Sequence, residues 1–142
     1  MKKILIVNQY PSWLLALLVF ALINVSFFYS HYLGKATFPW DFWGGYHAMA
    51  YAWLRDGSLI SPPLYFPYAN FGFPTVLAMQ SSAFYMPLIV FDWMGFSYTL
   101  HAATIVQCLH ILVGSMGVYC LLRLNGIGVL SSITGGVFYH LS

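Results

Sequence analysis

From Tyr98 to Leu122 about 25 consecutive residues carry no Asp, Glu, Lys or Arg, and the run stops at Arg123. As a helix rising 1.5 Å per residue it outruns the roughly 30 Å hydrocarbon core of a bilayer. Only 6% of the whole chain is charged, against about a quarter in a soluble domain. So few charges cannot cover a water-facing surface, and lipid is the solvent this composition asks for. Three aspartates, Asp41, Asp56 and Asp92, make up all the acidic residues.

A second apolar run extends from Trp13 to about Leu33, broken by Asn24, Ser26, Ser30 and His31, with Lys2 and Lys3 ahead of it. A cleaved signal peptide starts in the same way but needs small residues at its cleavage site. Phe27, Phe28, Tyr29, His31 and Tyr32 stand there instead, which predicts an uncleaved anchor. After Arg123, Asn125-Gly126 marks a turn, and Ile127–Ser142 opens a third apolar segment. Gly128, Ser132 and Gly136 form a small-xxx-small stripe on it that calls for a partner helix. Sixteen helical residues reach about 24 Å, short of a crossing, so the sequence reads as the N-terminal piece of a longer protein with further transmembrane helices.

Residues 34–96 contain no clean span. Tyr46, Met49, Ala50, Trp53 and Leu54 recur at helical spacing and predict an amphipathic helix over 42–56 lying along the membrane surface. Four prolines between Ser61 and Pro74 forbid a helix there. The stretch 75–94 is apolar but holds Gln80, Pro87 and Asp92, and reads as helix dipping into the interface. Aromatic residues crowd into 38–98, as in an interfacial belt. The resulting expectation is an all-α, polytopic transmembrane protein forming a single membrane domain. Its helices cover 12–33, 98–122 and 127–142, and a long external loop spans 34–96. Lys2, Lys3 and Arg123 place the N-terminus on the cytoplasmic side of the membrane, with the loop outside.

The chemistry-bearing residues are few. There is no P-loop, dinucleotide fingerprint, HExxH, CxxC or nucleophile elbow. A net charge of +2 without a Lys/Arg cluster excludes a nucleic-acid surface. Cys108 and Cys120 lie about 18 Å apart along one helix, beyond disulfide reach. The five histidines read as interhelical or interfacial hydrogen-bonding groups. Ala103, Gln107, His110, Gly114 and Gly117 share one helical stripe, which predicts that this stripe faces other helices. Asp41, between Trp40 and Phe42, has two compatible readings. It is an N-cap for the helix that follows, or a boundary carboxylate acting as general base or holding a divalent metal.

Trp40-Asp41-Phe42, the run Pro67-Tyr68-Ala-Asn70-Phe71-Gly72-Phe73-Pro74, Gln80-Ser81-Ser82, Phe84-Tyr85-Met-Pro87 and the span ending Leu121-Leu-Arg-Leu-Asn-Gly resemble the N-terminal region of YfhO-type bacterial membrane proteins. These are similar to GT-C glycosyltransferases, which take sugars from polyprenyl-phosphate carriers at the outer membrane face. The resemblance covers most of residues 12–142 and is most specific from Pro67 to Pro87. It implies Asp41 as the catalytic or metal-side carboxylate, and Tyr68, Asn70 and Gln80 as substrate-binding residues. Many such enzymes carry a paired acidic motif, whereas Phe42 follows Asp41 here. A non-catalytic component of envelope polysaccharide assembly or transport is the alternative that the same architecture implies.

Overall fold

The computed structural model describes residues 12–39, 42, 50–51, 65–66, 73–74 and 85–142. Helix dominates them: α1 (Ser12–Phe27), α2 (Tyr29–Tyr32), α3 (Met86–Trp93), α4 (Leu100–Leu124) and α5 (Val129–Leu141). One short antiparallel pair, β1 (Tyr65–Phe66) and β2 (Phe73–Pro74), joins Tyr65 to Pro74 and Phe66 to Phe73. It falls inside the proline-rich stretch, where a helix could not form.

Among the described residues α4 is the one helix long and apolar enough to cross a membrane. Only 17% of its most apolar window is buried. Alpha1 and α5 are apolar but shorter. The first expected span, 12–33, is interrupted at Phe28, where α1 gives way to α2. Within the expected interfacial stretch 75–94, α3 occupies Met86–Trp93, with Pro87 in its first turn, where a missing N–H costs nothing. Most of the amphipathic helix expected over 42–56 lies outside the described residues.

The Asn125-Gly126 turn closes α4 by satisfying its last carbonyls. Gly126 adopts φ +79°. Its N–H reaches the Arg123 carbonyl at 3.0 Å, and the Ile127 N–H reaches Leu122 at 3.0 Å, the paired bonds of a Schellman end. The Arg123 guanidinium then donates to the Ile127 carbonyl at 2.7 Å, placing positive charge at the negative end of the helix dipole.

The chain divides into two compact units: Met1–Tyr29 with Gln107–Ser142, and Ser30–Val106. In the first, α1 buries Ala16, Phe20 and Asn24, one residue per turn along a single face, and Phe28 just beyond its end is buried too. Ala16, Phe20 and Tyr119 form its core, with Leu112, Met116, Ile133 and Val137 packed around them. Two of the three residues of the small-xxx-small stripe find partners here, while Gly128, the cap of α5, is exposed with open space around it. Ser132 and Gly136 are buried, and a methyl built on Gly136 would strike the Phe20 ring and the Ser115 carbonyl oxygen. The Tyr119 hydroxyl donates to Ser12 at 2.9 Å. In the second unit Ala50, Leu88, Tyr98 and Ala103 make the core, flanked by Phe42, Tyr85, Phe91 and Val106.

The packed face of α4 is not the one its sequence suggested. Thr104, Cys108, Ser115 and Tyr119 are buried, while Gln107, His110 and Gly117 are exposed. At 100° per residue the two stripes lie about 130° apart around the helix. Of the predicted stripe, Ala103 is buried, and Gly114 lies under the Tyr139 ring. Thr and Ser are as compatible with close helix approach as Gly, because each returns its hydroxyl to its own helix. Thr104 bonds Leu100 and Ser115 bonds Ile111 in this way, at 2.8 and 2.9 Å.

Candidate functional site

Asp41, Tyr68, Asn70 and Gln80 lie outside the described residues. The residues flanking Asp41 in sequence are described in part. Phe42 packs on the core of the second unit, and its ring meets Phe38 at 5.4 Å and 71°. Phe38 in turn lies 5.0 Å from the His31 ring. Among the described residues no group of three His, Cys, Asp or Glu side chains is placed to hold a metal ion.

The first unit gathers its polar side chains at one point. Asn24 from α1, Ser115 from α4 and His140 from α5 are 1%, 0% and 3% exposed. Asn24 Nδ2 donates to the Cys108 carbonyl at 2.9 Å and lies 3.2 Å from His140 Nε2. His140 Nδ1 lies 2.9 Å from Ser115 Oγ. The hydrogen positions follow from which groups can only accept. A backbone carbonyl has no proton, so the Asn24 NH2 must face Cys108, and the same nitrogen then supplies its second hydrogen to Nε2. With Nε2 accepting, a neutral imidazole carries its proton on Nδ1 and donates it to Ser115. Ser115 passes its own proton to the Ile111 carbonyl. Every link has one donor and one acceptor.

A serine beside a histidine invites a nucleophilic reading, and the proton order rejects it. A general base must present a lone pair to the hydroxyl it activates. Here the imidazole presents N–H to Ser115, the wrong tautomer for that task. The arrangement instead ties three helices together. Ser115 and Cys108 fall within about 6 Å, along the axis, of Leu112 at the middle of α4, and both are fully buried.

Two consequences are measurable. Asn24→Leu and His140→Leu are each expected to cost about 1–3 kcal/mol by leaving buried polar atoms unmatched, and the double variant less than the sum. Reversible unfolding in detergent reads both. Nitrogen-15 spectra of labelled histidine should place the His140 proton on Nδ1; a proton on Nε2 would overturn the wiring.

The second unit holds a cavity of about 280 Å³, lined by Tyr51, Phe91, Asp92, Phe96, Ser97 and Tyr98, with Gly95 at its edge. Alpha3 ends there. Gly95 takes φ +68°, and the Gly95 and Phe96 amides bond back to Asp92 and Phe91 at 3.1 and 2.9 Å. That reversal sets the Asp92 carboxylate beside the rings. Phe91 stands edge-on to Tyr98 at 5.2 Å and 83°. Burial, and then the neighbouring Tyr85 phenol, push the Tyr98 hydroxyl up to about 12, while burial also raises Tyr85. Tyr98 therefore stays neutral at any physiological pH. Sequence reasoning placed Asp92 near the membrane boundary without a role. Its position one turn before a glycine, between aromatic residues, was the available signal. Comparison with protein-family models, curated proteins and solved structures finds no match to this chain.

Proposed function

We propose that this chain is a multi-pass membrane protein of the bacterial plasma membrane, with its N-terminus in the cytoplasm. The observation that carries the reading is the exposure of α4. Its most apolar 18-residue window has mean hydropathy 1.9, and only 17% of that window is buried. Leu109, Val113 and Leu121 are 44%, 68% and 61% exposed along it. In water each such side chain forfeits about 1–2 kcal/mol, and in lipid it forfeits nothing. The buried Asn24–His140–Ser115 network supports the same reading, since polar side chains of membrane helices turn inward and bond across helices. Alpha1 and α5 are apolar as well, though shorter than α4.

Two measurements test this. The protein should stay with the membrane fraction after alkaline carbonate washing; release into the supernatant rejects the reading. A Ser58→Cys variant should react with an impermeant thiol reagent added outside intact cells. Labelling that appears only after lysis reverses the orientation.

Within that frame the chemistry we propose is sugar transfer of the GT-C type, from a polyprenyl-phosphate-linked donor at the outer membrane face. Asp41 acts as base or holds a divalent metal, with Tyr68, Asn70 and Gln80 around the sugar. The resemblance of the segments around Asp41 and from Pro67 to Pro87 supports this. A protein that binds such a donor without transferring the sugar is the competing outcome, and the Asp41 variant discussed below separates the two.

A further inference from the structure

We propose that the Asp92 cavity binds an organic ammonium group, carried either by a phospholipid headgroup or by a small soluble amine. The lining chooses the sign of the ligand. Its charged group among the described residues is the Asp92 carboxylate, and around it stand Tyr51, Phe91, Phe96 and Tyr98. Aromatic faces attract cations through the ring quadrupole, and a carboxylate adds the Coulomb term. The Ser97 hydroxyl and the two tyrosine hydroxyls can donate as well as accept, but an anionic ligand would also meet the Asp92 carboxylate and negative ring faces.

Size points to a small group, since about 280 Å³ lies at the lower edge of the range for ligand cavities. The walls are fixed. Phe91 is braced edge-on by both Tyr98 and Phe96, and Tyr98 is 6% exposed. Asp92, Tyr51 and Tyr98 each keep interactions within the protein. A carboxylate offers about four acceptor sites, so it can meet a ligand N–H or a methylammonium while it keeps a partner within the protein. Phe96, on the lining, is 57% exposed, and its sequence neighbours Trp93 and Met94 are 87% and 51% exposed. The cavity also precedes the first residue of α4, Leu100, by a few positions. A headgroup held at the end of a membrane-crossing helix fits that placement. The lipid-borne source therefore rests on the membrane reading above, whereas binding of a soluble amine does not.

The experiment uses the purified protein in detergent. Calorimetric titration with choline is compared with its neutral isostere, 3,3-dimethylbutan-1-ol. Choline should bind at least about tenfold more tightly. Asp92→Asn should remove most of that difference, and Phe96→Leu should weaken choline several-fold. Phe96 is exposed, so Phe96→Leu keeps the test valid if the aspartate variant misfolds. Equal binding of choline and its isostere overturns the proposal, as does binding that neither substitution changes. Glucose binding in the absence of choline binding also overturns it, making the cavity a sugar site. A second arm counts lipids retained by mass spectrometry from nanodiscs of phosphatidylethanolamine or phosphatidylglycerol. Selective retention of the ethanolamine lipid, displaced by choline, assigns the lipid source. Choline binding without such retention assigns a soluble amine. If the protein proves not to reside in membranes, the choline titration still decides the site.

Discussion

Asp41→Asn is expected to lower sugar transfer by at least about a hundredfold while the protein remains inserted and folded. A positioned general base contributes on the order of 10² to 10⁴ in rate, and an amide can neither take a proton at neutral pH nor neutralise a divalent metal. Asparagine is nearly the same size as aspartate and is an equally good helix N-cap, so the substitution removes charge without removing a cap. Asp41→Ala mixes the two effects, because a lost cap alone costs about 1 kcal/mol. The measurement is transfer from a polyprenyl-phosphate-linked sugar by the intact protein in membranes, with protein level and detergent unfolding as controls. Unchanged transfer with Asn at this position takes Asp41 out of the mechanism. Retained donor binding in a wild-type protein that transfers nothing favours the non-catalytic alternative.

Gly136→Ala and Gly117→Ala are expected to move stability in opposite directions, although the chemical change is the same. Both glycines lie within helices. At Gly136 an added methyl would collide with the Phe20 ring and come within 2.9 Å of the Ser115 carbonyl oxygen. The ring can shift, but the backbone of α4 cannot do so cheaply, and overpacking of this kind costs about 1–3 kcal/mol. At Gly117 the methyl meets nothing within 4 Å. What remains there is the lower conformational entropy of alanine in the unfolded chain, which stabilises a helix by about 0.5–1 kcal/mol. Unfolding by a denaturing detergent reads both signs in one series. If Gly136→Ala were neutral, the close approach of α5 to α1 and α4 described above would be wrong.

The contrast between these two glycines shows where the sequence stops being informative. Both belong to small-residue stripes, and both stripes suggested a helix partner. The stripe of α5 has one, whereas Gln107, His110 and Gly117 on α4 are exposed. Periodicity reports which residues share a face and carries no term for which face meets a neighbour. Polar residues in an apolar run are ambiguous in the same way. His140 was legible as an interhelical hydrogen-bonding group, but its partner was not. Asn24 looked like a mere interruption of the first span, yet a buried amide in such a run needs a bonding partner, and it anchors the network. Ser115 left no mark, since serine at close helix contacts is common.

Charge scarcity alone pointed to lipid as the solvent, and charged and turn-forming residues marked where apolar helices begin and stop. Arg123 and Asn125-Gly126 ended α4 by local hydrogen bonding, a matter settled within a few residues. Three-dimensional packing alone decided that Asn24, Ser115 and His140, up to 116 residues apart, share one set of protons, and that Asp92 stands among aromatic rings. Such arrangements depend on helix rotation and axial offset, which are set by how side chains from distant segments fill space together. A linear pattern of apolar and polar letters does not encode those two quantities.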